Sequence, residues 1–269
     1  MGTDKRNRKK ENRRQKLDDM AKQQQRKRTR KLATRAAIFI AVIVGIALII
    51  SVSGDSDSSS TSDTTLATTA PTQVEGRAIT GDTPCPATDG SETRAATFEK
   101  APSNCLETGK TYTAVVTTNK GEFTIELDQN KAPLAANSFI TLARYKYFDN
   151  TQCHRAIPDF VVQCGDPTAT GSGGPGYSFT DELPQAGEYK LGSIAMANSG
   201  PNTNGSQFFI ITGDQGITLP PSYTLFGQVT KGLDTTVPAL NAASNPDPAA
   251  NGVPPLEPLT IVSVVITES

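Results

Sequence analysis

Two stretches of this chain set polar side chains among apolar strand residues in a way that suits chemistry on a bound peptide. Cys153–Asp166 reads CHRAIPDFVVQCGD, and Leu191–Ile210 reads LGSIAMANSGPNTNGSQFFI. Their Arg, Gln and Asn side chains carry no titratable proton near neutral pH. An apolar surface with fixed hydrogen-bond groups binds a ligand and polarises it, and does not shuttle protons. The usual catalytic sets are missing. His154 is the single histidine in 269 residues, and no G-x-S-x-G elbow exists for a hydrolase triad. A catalytic zinc needs several His or Cys ligands, and Cys153 and His154, as strand neighbours, would point to opposite faces. The stretch 171–176 (GSGGPG) lacks the Gly-Lys-Ser/Thr of a phosphate loop and reads as a flexible surface loop. Asn204-Gly205-Ser206 matches a glycosylation sequon, a pattern common by chance.

The elements that must position these residues are mostly short strands. Glu122–Leu127 alternates polar and apolar, as a half-buried strand does. Pro133 opens a helical stretch with Phe139, Ile140 and Ala143 on one face. Short apolar pieces follow at 153–157, 160–164, 191–197, 207–212, 224–230 and 259–267, punctuated by Gly, Pro, Asn and Asp. A weaker helical pattern covers 231–240. Many short strands with turn signals predict a mainly β barrel or sandwich and exclude a parallel α/β fold.

The formal net charge is -1, but it is a cancellation. Residues 1–35 hold 15 Lys/Arg against 4 Asp/Glu, a net +11, and the remainder carries -12. Residues 36–52, AAIFIAVIVGIALIISV, are 17 consecutive uncharged residues, long enough for a bilayer-spanning helix. The basic run before them predicts a cytoplasmic N-terminus by the positive-inside rule. Residues 1–35 thus read as a cytoplasmic tail rather than a nucleic-acid binder, 36–53 as a single transmembrane anchor in the lipid bilayer, and 112–269 as lying outside the cell membrane. The alternative is a signal peptide cleaved after Ser53. Residues 54–80 read as a disordered Ser/Thr-rich linker, and 81–111 as an irregular Cys-containing extension. Outside the membrane the four cysteines are expected to be oxidised. Cys85 and Cys105 are expected to pair. Cys153 and Cys164 flank a hairpin turning near Pro158-Asp159, but strict alternation puts them on different faces if Arg155 and Gln163 share one, unless a bulge intervenes.

The two motifs, in this order and spacing, closely resemble the cyclophilin family of peptidyl-prolyl cis-trans isomerases, and the likeness runs over about 112–269. It includes the helix after Ala132-Pro133 and the strand around Phe226-Gly227-Gln228-Val229. The resemblance implies an eight-stranded antiparallel β-barrel capped by two helices, with the ligand groove on the outer barrel wall. It implies that Arg155 is catalytic. Phe160, Val161, Phe209 and Leu219 would form the floor and walls of a proline pocket, with Gln163 supporting Arg155 and binding substrate. Ala197 and Asn198 would offer backbone groups to an extended peptide, and Gln207 would border the groove. Two positions depart from the family: Thr218 stands where Trp is common, and Tyr223 where His is common. The first implies weakened cyclosporin binding, and the second still offers a ring wall and a hydroxyl to the substrate. No cofactor and no metal is implied. The expected partners are proline-containing unfolded or exported polypeptides, and the expected protein is a membrane-anchored bacterial foldase. The alternative is a proline-peptide binding module or holdase chaperone with little catalysis.

Overall fold

The computed structural model describes residues 75–269. The basic tail (1–35), the transmembrane anchor (36–53) and most of the linker (54–74) lie outside the described residues. Among the described residues no helix is long and apolar enough to cross a membrane.

The alternating stretch at Glu122–Leu127 and each of the short apolar pieces contains a strand, although in 153–157 the strand starts only at Arg155. The chain runs β1 (Arg77–Ile79), β2 (Ala95–Phe98), β3 (Tyr112–Thr118), β4 (Gly121–Leu127), α1 (Pro133–Arg144), β5 (Thr151–Gln152), β6 (Arg155–Ile157) and β7 (Val161–Cys164). It continues through β8 (Ser193–Met196), β9 (Phe208–Ile211), α2 (Asp214–Ile217), β10 (Leu225–Lys231), α3 (Thr236–Ala242) and β11 (Thr260–Glu268). Nine strands make one curled antiparallel sheet in the order β5-β11-β3-β4-β10-β8-β9-β7-β6. The expected count of eight strands is corrected to nine, because one strand breaks. β5 pairs with β11 and β6 pairs with β7, and only Cys153 and His154 separate them. The two ends of the sheet order are therefore consecutive in the chain, which curls the sheet toward closure.

Inward side chains alternate with outward ones, as in β3, where Tyr112, Ala114, Val116 and Thr118 are buried. α1 starts on Pro133, whose fixed φ suits the first helical position. It lays Ala135, Phe139, Ile140, Leu142 and Ala143 into the core, where Phe139 meets Phe148, Phe208 and Phe226. The weak helical pattern at 231–240 forms later than expected, at Thr236–Ala242, and contributes Val237 and Leu240 to the same core.

The extension is more regular than its Pro and Cys content suggests. β1 and β2 form a parallel two-stranded sheet, and β1 falls inside the stretch that reads as linker. Ile79, Ala95 and Phe98 belong to the main core. Phe98 packs against the rings of Tyr145, Tyr147 and Tyr177. Arg94 donates to the carbonyls of Lys146, Tyr147 and Asp149 in the turn after α1. Both disulfides form, Cys85–Cys105 and Cys153–Cys164, and no described cysteine is free.

Candidate functional site

The site is built on β6, β7 and β9. In the β6–β7 hairpin Arg155 lies directly opposite Gln163, and Gln163 lies opposite Phe209 on β9. Alternation sends Ala156, Val162 and Phe208 into the core and leaves Arg155, Gln163 and Phe209 on the other face. Adjacent Phe208 and Phe209 thus serve different sides of one sheet. A second, smaller apolar cluster forms on the outer side from Val161, Tyr189, Ala195, Phe209 and Ile211, with Phe160, Ala197, Leu219 and Tyr223 packed on it.

A cavity of about 120 Å³ sits there, lined by Arg155, Phe160, Val161, Gln163, Ala197, Asn198, Phe209, Leu219 and Tyr223. These are nine of the ten residues assigned to catalysis and substrate from the sequence. The tenth, Gln207, borders an adjoining cavity of about 720 Å³ that shares Gln163, Ala197 and Asn198. Thr218 lines neither cavity; it ends the single turn α2, where its hydroxyl donates to the Gln215 carbonyl.

Each wall has an identifiable support. Phe209 meets Tyr223 edge-on, with ring centroids 5.3 Å apart. The Tyr223 backbone is held by Tyr189, whose hydroxyl donates to the Tyr223 carbonyl at 2.6 Å and accepts its N–H at 3.1 Å. α2 carries Leu219 into place and is pinned by Asp159, which accepts the Asp214 N–H at 2.8 Å. Close packing makes Gly216 necessary, since a Cβ there would stand 2.5 Å from the Phe160 carbonyl oxygen. The Ala197 N–H is taken by the Gln207 carbonyl at 2.9 Å, which leaves its carbonyl as the backbone group open to a peptide. Asn198 is anchored through its side chain to the Ser222 carbonyl at 3.0 Å.

The polar groups form a directed chain. Arg155 Nη1 donates to Gln163 Oε1 at 3.3 Å, and Gln163 Nε2 donates to Gln207 Oε1 at 2.9 Å. Gln207 Nε2 donates in turn to the carbonyls of Gly171 and Gly173. The glycine-rich loop is therefore tied down rather than free. Its anchor is the buried Asp166, whose carboxylate accepts backbone N–H bonds from Thr168, Thr170, Gly171 and Gly173. Burial would raise the pKa of Asp166, but the hydrogen bonds from Thr168, Gly173 and Gly171 together outweigh it and hold the carboxyl below its ordinary value. Burial also lowers the Arg155 pKa, from so high a value that the guanidinium stays protonated.

Sequence reasoning missed Asp166, Tyr189 and Asn251 as parts of this site. Asn251 accepts from Arg155 twice, from Nε through its main-chain carbonyl and from Nη2 through Oδ1, each at 3.0 Å. Asp166 was visible as the end of a motif, but its loop-anchoring role needed the fold. The sequon is a false match: Asn204 is fully buried, and its Nδ2 donates to the Thr180 carbonyl and to Asp181.

A family model described as cyclophilin-type peptidyl-prolyl cis-trans isomerase/CLD matches residues 113–266. The probable peptidyl-prolyl cis-trans isomerase B of Mycobacterium tuberculosis is 40% identical over 164 residues, covering 55% of this chain and 52% of that protein. The Mycobacterium leprae protein of the same description is 43% identical over 134 residues, covering 44% of this chain and 45% of that protein. The chain thus spans about half the length of these mycobacterial relatives. A cyclophilin-type isomerase of Cryptosporidium parvum matches in structure with a TM-score of 0.53 at 33% identity, over 58% of this chain and 98% of that one. The same protein, determined in the presence of the dipeptide Ala-Pro, matches with a TM-score of 0.52.

Proposed function

Because the chain belongs to the cyclophilin-type peptidyl-prolyl cis-trans isomerase family through residues 113–266, we propose that it catalyses rotation about X–Pro bonds in peptide chains. The observation that carries this reading is that Arg155 is the single charged side chain in a cavity otherwise lined by apolar and uncharged polar residues.

The chemistry follows from the amide. Rotation costs about 18–20 kcal/mol because resonance across the C–N bond is lost. At the twisted geometry the nitrogen lone pair is localised and basic. A donor aimed at that nitrogen binds the twisted form more tightly than the planar one, which is the requirement for catalysis. Arg155 is that donor. Phe160, Val161, Phe209 and Leu219 hold the proline ring, and the Ala197 carbonyl and Asn198 hold the flanking backbone. One charge-assisted hydrogen bond contributes about 1.5–3 kcal/mol, so the rest comes from the dry pocket and from clamping the peptide.

The same reading extends to the cell. Residues 36–53 anchor the protein in the membrane of a bacterium, with the N-terminus cytoplasmic and the isomerase domain outside. Its substrates are exported or cell-envelope chains that fold there. The hydropathy and charge of residues 1–53 support this placement. Thr218 in place of a bulky aromatic supports weak binding of cyclosporin. Protease protection of residues 112–269 in intact cells, lost on lysis only if the domain is inside, tests the topology.

The function is tested by exchange spectroscopy on a proline-containing tetrapeptide with the full chain in detergent. Accelerated cis-trans exchange is expected. Suppressed aggregation of a client without accelerated exchange would replace the enzyme by a holdase.

A further inference from the structure

Arg155 is gripped from the side opposite Gln163 by a loop that has no part in the two sequence motifs. We propose that the segment Asn245–Pro258, through Asn251, is a positioning element for Arg155, an inference that rests on the isomerase reading above. A guanidinium has five N–H donors. Asn251 takes the Nε–H and one Nη2–H, both at 3.0 Å, and Gln163 takes one Nη1–H at 3.3 Å. Two donors remain, one on each terminal nitrogen, for the peptide. Without Asn251 the arginine would keep only its longest contact, to Gln163, and its plane would be free to turn about the side-chain torsions.

The loop is shaped for this contact. β6 is the last strand of the sheet order, so its outer edge has no strand partner. The loop covers that edge: the Ala156 N–H donates to the Gly252 carbonyl at 2.9 Å, and the Asn245 N–H donates to the Ala156 carbonyl at 3.0 Å. These bonds set the loop one residue from Arg155. Asn251 has φ 50° and Gly252 φ 80°, both left-handed. Among residues with a side chain, Asn tolerates that region best. At Gly252 a Cβ would stand 2.6 Å from Ile157 Cγ1 and 2.7 Å from the Ala156 carbonyl oxygen, so only glycine lets the loop lie this close. The two left-handed residues turn both acceptors of Asn251 toward the guanidinium. Asn251 touches Arg155 and is not among the residues lining the Arg155 cavity or the one adjoining it, so it acts through the arginine.

The test is a double-variant comparison by exchange spectroscopy on the full chain. Asn251→Gly keeps the left-handed backbone and the main-chain acceptor and removes the side chain, and with it the Oδ1 contact to Arg155. It is expected to lower kcat roughly 2- to 10-fold with KM little changed, the effect of one net hydrogen bond on the transition state. Asn251→Asp keeps both acceptors and is expected to stay within about 2-fold of wild type. In an Arg155→Ala background, Asn251→Gly is expected to cause no further loss. Unchanged kcat in Asn251→Gly, or an equal loss with and without Arg155, overturns the inference while leaving the isomerase reading intact. A wild-type chain without activity fails that reading instead.

Discussion

Cys153 faces the core, and Arg155, two residues later, faces the groove. In an unbroken strand these two would share a face. The break between β5 and β6 at Cys153-His154 resets the alternation. It lets Cys153 reach Cys164 on the inner side while Arg155 stays opposite Gln163 on the outer side. The sheet break and the disulfide are thus one device, placed at the foot of the hairpin that carries the candidate catalytic arginine.

That device has a measurable weight. The Cys153–Cys164 bond closes a loop with a sequence separation of 11, and chain entropy assigns such a loop about 3 kcal/mol. The double variant Cys153→Ala/Cys164→Ala is expected to lose about that much stability in denaturant titration. Thiol counting on the unfolded, unreduced chain is expected to find no free cysteine. An unchanged unfolding midpoint, or free thiols, would count against the bond as a structural tie.

The relay from Arg155 through Gln163 to Gln207 predicts a graded effect. Gln163→Ala removes one acceptor from the guanidinium and one donor to Gln207. A roughly 2- to 10-fold fall in kcat/KM is expected, with the unfolding midpoint little changed. Full activity in Gln163→Ala would show that the arginine needs no support from that side.

The extension is expected to behave as part of the domain. Phe98 is buried against three tyrosine rings, and Phe98→Ala is expected to cost about 3–5 kcal/mol by cavity creation. Urea unfolding measures it. A cost near zero would return residues 75–111 to the status of a loose appendage.

His154, the only histidine, gives a single-site pH probe. Burial depresses its pKa below the ordinary 6.5, with Asp166 opposing and Arg155 reinforcing the shift. The folded chain therefore binds a proton there less readily than the unfolded chain. The contribution to stability is complete above 6.5 and is lost as pH falls from there through the lower folded value. Its imidazole NMR signals are expected to stay in the neutral form at pH 6.5. Titration with an ordinary midpoint would contradict the burial. The groove's own charge, on Arg155, does not titrate in this range, so kcat/KM is expected to be flat from about pH 6.5 to 9.

The sequence was most legible where local pattern decides. One alternating stretch and six short apolar pieces located seven of the nine strands of the sheet, Pro133 marked the start of α1, and the residues around Arg155 and Phe209 converge on one cavity. What it could not show depends on contacts between distant segments. Asn251 lies 96 residues from Arg155 in a Pro- and Asn-rich stretch with no period. Its role comes from the loop covering an unpaired edge. Phe98 sits between breakers, and only the aromatic wall of Tyr145, Tyr147 and Tyr177 reveals why β2 is held. Asp166 anchors the glycine run by accepting backbone bonds that composition alone does not announce. The alternation conflict at Cys153 was legible and called for an irregularity such as a bulge, but its form, a strand break at Cys153-His154, depends on pairing with two different partners, β11 and β7.

The most direct measurement is the cis-trans exchange rate of a proline-containing peptide with the wild-type chain and with Arg155→Ala. Wild type is expected to accelerate exchange well beyond the uncatalysed time of roughly tens to hundreds of seconds. Arg155→Ala is expected to lose at least about 10- to 100-fold of kcat/KM while keeping its fold. Full activity in Arg155→Ala would contradict the claim that this guanidinium stabilises the twisted prolyl bond.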